Sequence, residues 1–448
     1  MLDPTRAQER AAALVDRARR AGADAADAAY HGEASESIQV RLGQLEDVER
    51  SESENVSLRV FVGKASASIG SSDLSDEALD ELAARAVAMA RLAPDDDYAG
   101  LAPEDLLARG PLPALDLIDP AEPGPAALRE RAAAVEDAAR AVAGVTNSEG
   151  GGAAAGRGVF ALATSHGFVG GYETSSHSLS VSVVAGEGAG MQRDWDGRSA
   201  RHLADLASAE EIGLSAAERA VRRLNPGKLA SGQMPVVFDP RVGGSLVGHL
   251  LGAMAGSAIA RKASFLVGRD GEQLFDSAIT ILDDPHRRRG LRSKPFDGEG
   301  LATAPRALVE QGRLTGWLMN SAAARQLGGR PTGHAARGGG GAPGISASNT
   351  HIAPGSVSPA QLMADIADGV YVTELIGQGV NGVTGDYSRG ASGYRIVNGK
   401  IAGPVAEFTV AGNLIDMFRA LSAANDLEWH RAVNVPTLRI DGMMIAGD

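Results

Sequence analysis

The chain contains no cysteine, which excludes disulfide bonds, thiolate zinc ligands and a thiol nucleophile. Aromatic residues make up only 4% of its 448 residues, whereas glycine occurs 57 times. This balance predicts tight turns and a core built mainly from Ala, Val, Leu and Ile. The sequence also lacks an apolar run of membrane-spanning length and a basic-then-apolar leader at its N-terminus. We therefore expect a soluble, cytoplasmic protein without a membrane partner.

Positive charge is scarce as well. The 43 Lys and Arg residues face 56 Asp and Glu residues, which gives a formal net charge of −13. Binding to a phosphate backbone relies on clustered Lys and Arg, so we predict no nucleic-acid partner. The densest basic run is HRRRG at residues 286–290, and we interpret it as a solvated loop.

The N-terminal region, residues 1–224, alternates helical and strand patterns. An amphipathic helix is predicted over residues 5–21 with Thr5 as its N-cap, and a second helix begins after the N-cap Ser75. Two more are predicted in PAALRERAAAVEDAARAVAG and ARHLADLASAEEIGLSAAERAVRRL, with strand meanders between the helices. The order helix, strands, helix therefore occurs twice, in subunits 1–92 and 115–224, which suggests an internal duplication.

The segment between these subunits and the C-terminal half have a different texture. Residues 93–123 are rich in Pro and Asp and are interpreted as a linker or surface excursion. Residues 225–234 predict a second linker, and residues 235–448 a β-rich C-terminal domain. The fold class is therefore α+β, with helix–strand meander–helix units followed by a β-rich domain.

Local signals in the C-terminal domain define a few elements. Hairpin turns are predicted in FLVGRDGEQLF at Asp270-Gly271, in ALVEQGRLTGWLM at Gln311-Gly312 and in YRIVNGKIAGPV at Asn398-Gly399. Helices are predicted over residues 243–262, 359–368 and 411–424. A glycine-rich stretch at residues 327–356 has no clear periodicity, and long loops of this kind are often functional. It lacks the Walker spacing, so nucleotide binding is disfavoured.

His249 lies in the predicted helix LVGHLLGAMAGS, where a zinc peptidase would carry further ligands and a base. The residues one, four and five positions later are Leu250, Ala253 and Met254, and none of them binds zinc or acts as a base. The other histidines show no HxH, HxxxH or HxxE spacing. A site assembled from distant residues stays open, but a hydrogen-bonded histidine in an apolar wall is the simpler interpretation.

Other candidate chemistry is weaker. GASGY at residues 390–394 has Tyr394 where a nucleophile elbow needs glycine, and it precedes a hairpin instead of a helix. Asp297 and Glu299 in PFDGEG form a carboxylate pair, although an Asp-Gly turn explains them more simply. The polar turn TGDYSRGASGY is either a satisfied turn or the lining of a cleft for an extended peptide.

Several long blocks together resemble the TldD/PmbA family, most closely its TldE (PmbA) branch. They are FDPRVGGSLVGHLLGAMAGSAIARKASFL, DDPHRRRGLRSKPFDGEG, TGHAARGGGGAPGISASNTHIAPG and ELIGQGVNGVTGDYSRGASGYRIVNGKIAGPVAEFTVAGNL. The match runs through the C-terminal half in order, and the N-terminal half agrees mainly in layout. The resemblance implies an α+β N-terminal region and a β-rich C-terminal domain.

The resemblance also implies where a metal helix would lie. The TldD branch resembles a zinc peptidase with an HExxxH helix and a later cysteine. On this chain the first histidine is His249, the glutamate position holds Leu250 and the second histidine position holds Met254. The cysteine is missing, so we expect no metal or other cofactor in this chain. Zinc would lie in a TldD-type partner subunit.

The implied function is a zinc-free subunit of a heterodimeric peptidase that cleaves unfolded or extended peptides. This chain would shape the substrate cleft, and homodimer formation without the partner stays open. The predicted cleft residues are His249, Asn349, Thr350, Asp386, Tyr387, Ser388, Arg389 and Ser392.

Two other functions remain as alternatives. One is a stand-alone peptide-binding or scaffold protein without proteolytic activity. The other is an independent hydrolase that uses Asp386, Ser392 or Glu299. Activity that requires a partner would favour the subunit hypothesis over both.

Overall fold

The computed structural model describes residues 1–338 and 340–447. The N-terminal region combines long strands with four α-helices within these described residues. Its elements, in chain order, are α1 (Pro4–Arg20), β1 (Ala25–Arg41), β2 (Gln44–Val62), β3 (Ala65–Ser71), α2 (Asp76–Leu92), α3 (Pro125–Arg140), β4 (Val145–Thr164), β5 (Val169–Ala185), β6 (Gln192–Ala200) and α4 (Ala209–Arg222).

All strands of the N-terminal region belong to one antiparallel sheet with the order β3-β2-β1-β4-β5-β6. The central pairing joins β1 to β4, with Asp27 opposite Thr164. The two predicted subunits therefore share a continuous sheet. Helices α1 and α2 pack against one end of this sheet, and α3 and α4 against the other. The mixed α+β fold is confirmed.

Strand β1 is covered on both faces where the two regions of the molecule meet. Side chains alternate across a strand, so Ala28 and Tyr30 pack under α1 and α2. Ala29 points to the opposite face, where it joins a cluster that contains Phe296 and Leu301 of the C-terminal region. The sheet is thus a wall between the N-terminal helices and the C-terminal domain.

The C-terminal region is β-rich, as expected. Its elements, in chain order, are β7 (Gly232–Phe238), α5 (Pro240–Ala253), α6 (Gly256–Ala260), β8 (Ile281–Asp284), β9 (Arg306–Glu310), β10 (Arg313–Leu314), α7 (Ser321–Leu327), β11 (Ala335–Ala336), β12 (Gly344–Ile345), β13 (Asn349–Ile352), α8 (Pro359–Met363), β14 (Asp368–Ile376), β15 (Asp386–Val397), β16 (Lys400–Asn413), α9 (Leu414–Arg419), β17 (Leu421–Ala423), β18 (Val433–Asn434) and β19 (Leu438–Ala446).

Two sheets organise this region. The order β16-β15-β14-β7-β19-β17 closes on itself because β16 also pairs with β19, which makes a barrel. Strand β7 runs parallel to β14 and antiparallel to β19. A second sheet has the order β10-β9-β8-β13-β18. The barrel, α5 and the second sheet share one apolar core. No helix within the described residues is long and apolar enough to cross a membrane.

Two of the predicted hairpins are confirmed. Asn398 and Gly399 both have positive φ, 48° and 76°, between β15 and β16, which is the backbone a two-residue hairpin turn requires. Gln311 and Gly312 likewise connect β9 to β10. The hairpin at Asp270-Gly271 is wrong, because its flanks form turns without strands. Leu266 and Leu274 there join the apolar core as irregular chain.

Several helix limits need correction. Asp3, not Thr5, caps α1, and its side chain accepts a hydrogen bond from the backbone N–H of Arg6 at 3.0 Å. The helix predicted over residues 243–262 breaks into α5 and α6. The stretch ending at residue 224 is helical only from α4 onward, because Ser208 provides the N-cap. Its Gly213 causes no break.

The segment 93–123 is more than a surface excursion. The backbone N–H of Ala108 donates to Gly300 O at 2.9 Å, and that of Arg289 donates to Leu115 O at 2.9 Å. On the N-terminal sheet, the backbone N–H of Ser175 in β5 donates to Leu117 O of this segment. This segment is therefore a strap that ties the N-terminal sheet to the C-terminal domain. The proposed limits of the domains themselves stay a prediction.

Gly213 of α4 packs directly against α3 and offers a stability test. A Cβ at this position would lie 2.7 Å from both Ala138 Cβ and Val135 O. We expect Gly213→Ala to lower the free energy of unfolding by about 1–3 kcal/mol because the helices must separate. Gly248→Ala in α5 is the control, since nothing lies within 4 Å of its Cβ position. The control should gain roughly 0.5–1 kcal/mol from helix propensity, and equal shifts in urea unfolding would contradict the packing argument.

Candidate functional site

Helix α5 begins directly after barrel strand β7. Its N-cap is Asp239, whose side chain accepts a hydrogen bond from the backbone N–H of Arg241 at 2.9 Å, and Pro240 starts the helix. The apolar side chains Leu246, Leu250 and Met254 are fully buried in the C-terminal core. The face of α5 that holds them is therefore the packing face, and it leaves His249 beside it at the edge of the core.

His249 faces strand β15 of the barrel. Its ring lies 6.1 Å from the ring of Tyr387 in an edge-on arrangement. Its buried Nε2 atom has no hydrogen-bond partner within the described residues. Burial lowers the pKa of His249, and the nearby Arg389 guanidinium lowers it further. The imidazole is therefore held neutral at physiological pH.

Tyr387 and Arg389 project from the same face of β15, two residues apart. The Tyr387 hydroxyl is buried and lacks a hydrogen-bond partner among the described residues. Burial raises the pKa of Tyr387 to about 12, against the opposing effect of Arg389. Arg389 Nη2 donates to Leu375 O at 3.3 Å. This His249 cluster therefore offers an unused phenol, an imidazole nitrogen and a guanidinium.

Another concavity lies apart from this cluster, between the N-terminal sheet and the C-terminal domain. It has a volume of about 490 Å³. One wall carries the aromatic rings of Phe160, Tyr172 and Phe296, whose centroids lie 5.5–6.0 Å apart. Ala336 and Ser346 of the glycine-rich stretch line it as well. The described part of that stretch thus contributes to the wall of an interdomain cavity. Gly339 lies outside the described residues.

A buried ion network crosses the boundary beside this cavity. Asp27 of β1 accepts a hydrogen bond from Arg59 Nε at 2.9 Å, and its other carboxylate oxygen lies 2.6 Å from Arg337 Nη2. Arg59 also approaches Glu299 at 3.7 Å, and Glu299 accepts from the Ser321 hydroxyl at 2.6 Å. Burial alone would raise the pKa of Asp27, but Arg337 and Arg59 outweigh it and hold the pKa below its usual value. The network therefore joins charges from both regions.

Asp297 and Lys294 line the same cavity. Burial raises the pKa of Asp297 to about 6, and Glu299 contributes in the same direction. Burial lowers the pKa of the Lys294 ammonium, although Asp297 opposes the shift. The Asp-Gly turn expected at this position is present, since Asp297 accepts from the N–H groups of Glu299 and Leu301. Its burial against the other region was not expected.

The structure distributes the eight predicted cleft residues over separate places. His249, Tyr387 and Arg389 form one cluster. Asp386 and Ser388 are exposed and alternate with them along β15, and Asp386 accepts hydrogen bonds from Thr384 and Asn413.

The other three predicted residues are buried. Ser392 lies farther along β15, opposite Glu374. Thr350 donates to Asp283 at 2.9 Å, and Asn349 Nδ2 donates to Asp284 O at 2.7 Å, both in the second sheet. Those two side chains hold β13 against β8. Whether any of the eight contacts a substrate stays a prediction.

Sequence patterns missed the residues that meet between the two regions. Asp27 and Arg59 lie in strands, and both contact charged side chains of the C-terminal domain that bury them. The only local signal is a charged residue inside an otherwise apolar strand, such as Asp27 in AADAAY. The HRRRG run was interpreted as solvated, yet Arg289 pairs with Asp116 at 2.6 Å and Asp205 at 2.9 Å.

An α+β region followed by a β-rich domain that contains a barrel matches the fold of TldD- and TldE-type proteins. Three profiles of PmbA/TldA metallopeptidases match the chain: domain 1 at residues 26–90, the central domain at 118–224 and the C-terminal domain at 231–447. The chain therefore belongs to the TldD/PmbA family, in its PmbA/TldE branch.

Individual relatives agree with this assignment. Metalloprotease PmbA of Escherichia coli O157:H7 is 39% identical over 426 residues, covering 95% of this chain and 92% of that protein. The PmbA homologue of Haemophilus influenzae is 35% identical over 437 residues, covering 97% and 94%. A Bacteroides thetaiotaomicron structure, described as a candidate modulator of DNA gyrase, superposes with a TM-score of 0.90 at 27% identity, covering 98% and 99%. TldE of Thermococcus kodakarensis shares the fold, with a TM-score of 0.86 at 22% identity, covering 97% and 99%. The chain is thus a metalloprotease-like protein of this branch.

The metal that the family name implies does not fit the residues of α5. Zinc needs three or four ligands, and the helix offers His249 alone. Leu250 and Met254 are buried in the apolar core, and the Arg389 cation that depresses the His249 pKa would also repel a metal ion. Within residues 1–338 and 340–447, no group of three or more His, Asp or Glu side chains is arranged to hold a metal.

The ion network predicts a large effect of Asp27→Asn on stability. The substitution leaves two buried guanidiniums without their carboxylate, so we expect a loss of about 3–5 kcal/mol in the free energy of unfolding. Asp368→Asn is the matched control, because the Asp368–Arg395 pair at 2.8 Å is about half exposed. The control should change stability by less than about 1 kcal/mol. Similar losses for both variants in chemical denaturation would contradict the assignment.

Asp297 should titrate near pH 6 in the folded protein. Selective ¹³C labelling of aspartate carboxyls and NMR titration would measure this, with Asp297→Asn to assign the signal. Glu299→Gln should lower the pKa of Asp297, because it removes a like charge. Since the folded state binds this proton more tightly than the unfolded chain, Asp297 should make stability fall as pH rises between about 4 and 6. An Asp297 pKa near 4 would overturn the burial argument.

Proposed function

We propose that this chain is the zinc-free, non-catalytic subunit of a heterodimeric TldD/TldE-type metallopeptidase that cleaves unfolded or extended peptides. Helix α5 carries this proposal. It retains His249 but has Leu250, Ala253 and Met254 where the base and further ligands would lie. Those three side chains are buried in the core. None of them can bind zinc or act as a base. The partner would supply zinc and the base.

The His249 cluster would then form part of the substrate wall. A neutral imidazole and an unpartnered tyrosine hydroxyl can hydrogen-bond the carbonyl and N–H groups of an extended peptide. Arg389 adds a cation that would favour a peptide carbonyl or carboxylate. In this role the residues bind and orient the peptide and take no part in proton transfer.

The surface of α5 leaves room for a partner. Gly248 and Gly252 are exposed on this helix, and nothing lies within 4 Å of the Cβ position of either. Another backbone could therefore approach the helix next to His249.

The hairpin arm at residues 42–55, an exposed edge of the N-terminal sheet, offers a second partner surface. Within the described residues, the 44–55 segment of β2 pairs only with β1. Leu42, Leu45 and Val48 on this arm are 47%, 44% and 50% exposed. Exposed apolar side chains beside an unpaired strand edge favour association, with a TldD-type subunit or with a second copy of this chain when that subunit is absent.

The interdomain cavity of about 490 Å³ supports a second candidate function. Its volume suits a short peptide, and its walls combine aromatic rings with charged groups, as ligand sites do. In that case the chain would be a stand-alone peptide-binding or scaffold protein, and peptide would bind without being cleaved.

Cleavage of an unstructured peptide separates these functions. The purified chain with added zinc should hold no stoichiometric metal by elemental analysis and should show no turnover. Turnover should arise on mixing with a TldD-type subunit. His249→Ala should leave this partner-dependent activity largely intact, because His249 does not carry the chemistry. Gly124→Ala at the start of α3 can serve as a handling control, since its φ is −77° and its Cβ position is open.

Three outcomes would count against the subunit function. Turnover by the chain alone, after removal of contaminating peptidases, would indicate a catalytic site of its own. Complete loss of activity in His249→Ala would assign that residue a chemical role. Peptide binding with no cleavage in the presence of the partner would favour the stand-alone binding protein.

A further inference from the structure

A second, strongly basic pocket lies next to the interdomain cavity. Its volume is about 350 Å³, and it shares Arg201 and Leu291 with the larger cavity. Strand β6 and two residues that follow it, Arg201 and Asp205, form one side, and the HRRRG run forms another. The 429–431 segment, with Trp429 and Arg431, closes the third. The pocket therefore gathers basic residues from three distant parts of an acidic chain.

Three of the guanidiniums in this pocket have no acidic partner in the part of the chain that the structure describes. Within the described residues, no carboxylate lies within the 4.0 Å ion-pair distance of Arg201, Arg287 or Arg431. Arg288 and Arg289 differ, because both pair with Asp116 on the rim. Cations that are drawn together without acids disfavour the folded state unless an anion joins them.

The unpaired guanidiniums are held in position by other contacts. Arg287 stacks on Trp429, with its central carbon 3.4 Å from the ring centroid, and burial lowers the pKa of Arg287. Arg201 donates to the backbone oxygens of Ser175 and Leu291, while its buried Nε has no partner. Arg431 Nη1 donates to a backbone oxygen at 2.8 Å. Each group is oriented yet keeps N–H donors free.

We propose that this arginine pocket, formed by Arg201, Arg287 and Arg431 around Trp429, binds the carboxylates of acidic, extended peptides. The planar fork of arginine matches a carboxylate in two parallel hydrogen bonds. The adjoining aromatic cavity, with a volume of about 490 Å³, extends the site beyond the arginines and leaves room for neighbouring peptide residues. The peptide nature of the ligand rests on the proposed function, whereas the anion site rests on the arginines alone.

A nucleic acid fits this pocket less well than a peptide. Phosphate-backbone binding needs a continuous basic track, but Asp116 and Asp205 border the arginines here. The net charge of −13 also repels a polyanion. A short peptide presents only a few carboxylates, and it can place them on the three unpaired guanidiniums while avoiding the acidic rim.

Calorimetric titration of the full chain, without any partner subunit, tests the site. The probes are an acetylated and amidated peptide with three consecutive glutamates, its glutamine counterpart, and inorganic phosphate. We expect the glutamate peptide to bind and the glutamine peptide to bind at least about tenfold more weakly. The affinity should fall as salt is raised, because the contacts are ionic. A free C-terminal carboxylate on the glutamine peptide distinguishes terminal from side-chain recognition.

Variants locate the binding. Arg287→Gln and Arg431→Gln should each weaken the glutamate peptide by about tenfold. Arg395→Gln is the matched control, since it removes an arginine of the same charge that pairs with Asp368 on the barrel, and it should leave affinity unchanged. Thermal unfolding of all three variants checks that they are folded. Equal weakening by Arg395→Gln would overturn the proposal.

The remaining outcomes are also decisive. Equal affinity for the glutamate and glutamine peptides would overturn carboxylate recognition. Phosphate that binds as tightly as the glutamate peptide and displaces it fully would reduce the pocket to a general oxyanion site. Binding is measured without turnover, so failure here leaves the subunit function untouched, and failure of partner-dependent cleavage leaves the arginine pocket untouched.

Discussion

The buried ion network around Asp27 is the interaction on which the arrangement of the two regions depends. Asp27 lies on β1 at the centre of the N-terminal sheet, and Arg337 reaches it from the glycine-rich stretch of the C-terminal domain. Arg59 and Glu299 extend the network, so charge balance is reached only when the two regions are docked. Removing charges from water is costly unless they are paired. The network therefore makes docking specific, while Phe296 and Leu301 supply the apolar contact beside it.

This docking creates the cavities from which function is argued. Residues of both regions line the interdomain cavity and the arginine pocket. Neither region forms either cavity without the other. The strap at residues 93–123 runs between the same regions and fixes their separation through backbone hydrogen bonds. The His249 cluster is different, because α5 and β15 both belong to the C-terminal domain. Besides the arm at residues 42–55, the chain thus has one candidate contact site for a partner or substrate at the barrel and another at the domain boundary.

Helix α5 explains how a metallopeptidase fold can persist without its metal ligands. The helix is held by its Asp239 cap and by leucine and methionine packing, none of which requires zinc. Leu250 and Met254 contribute to the core at the positions where the resemblance to the TldD branch implies a base and a metal ligand. Apolar side chains at these positions stabilise the helix by burial, and the proposed subunit function assigns the chemistry to another chain. The proposal that a partner subunit carries the metal therefore rests on apolar core residues that stand in the ligand positions of α5.

The amino-acid sequence by itself determined the local features and the exclusions. Missing cysteines, the apolar residues after His249 and the Asn398-Gly399 turn are properties of neighbouring residues, so they needed no fold. Helix limits were less certain, because Asp3 and Ser208 compete with other capping residues nearby. Only the tertiary structure decided that β1 pairs with β4, that Asp27 meets Arg337, and that Arg201, Arg287 and Arg431 converge. These contacts join residues far apart in the chain, and their energy depends on burial that no local pattern records.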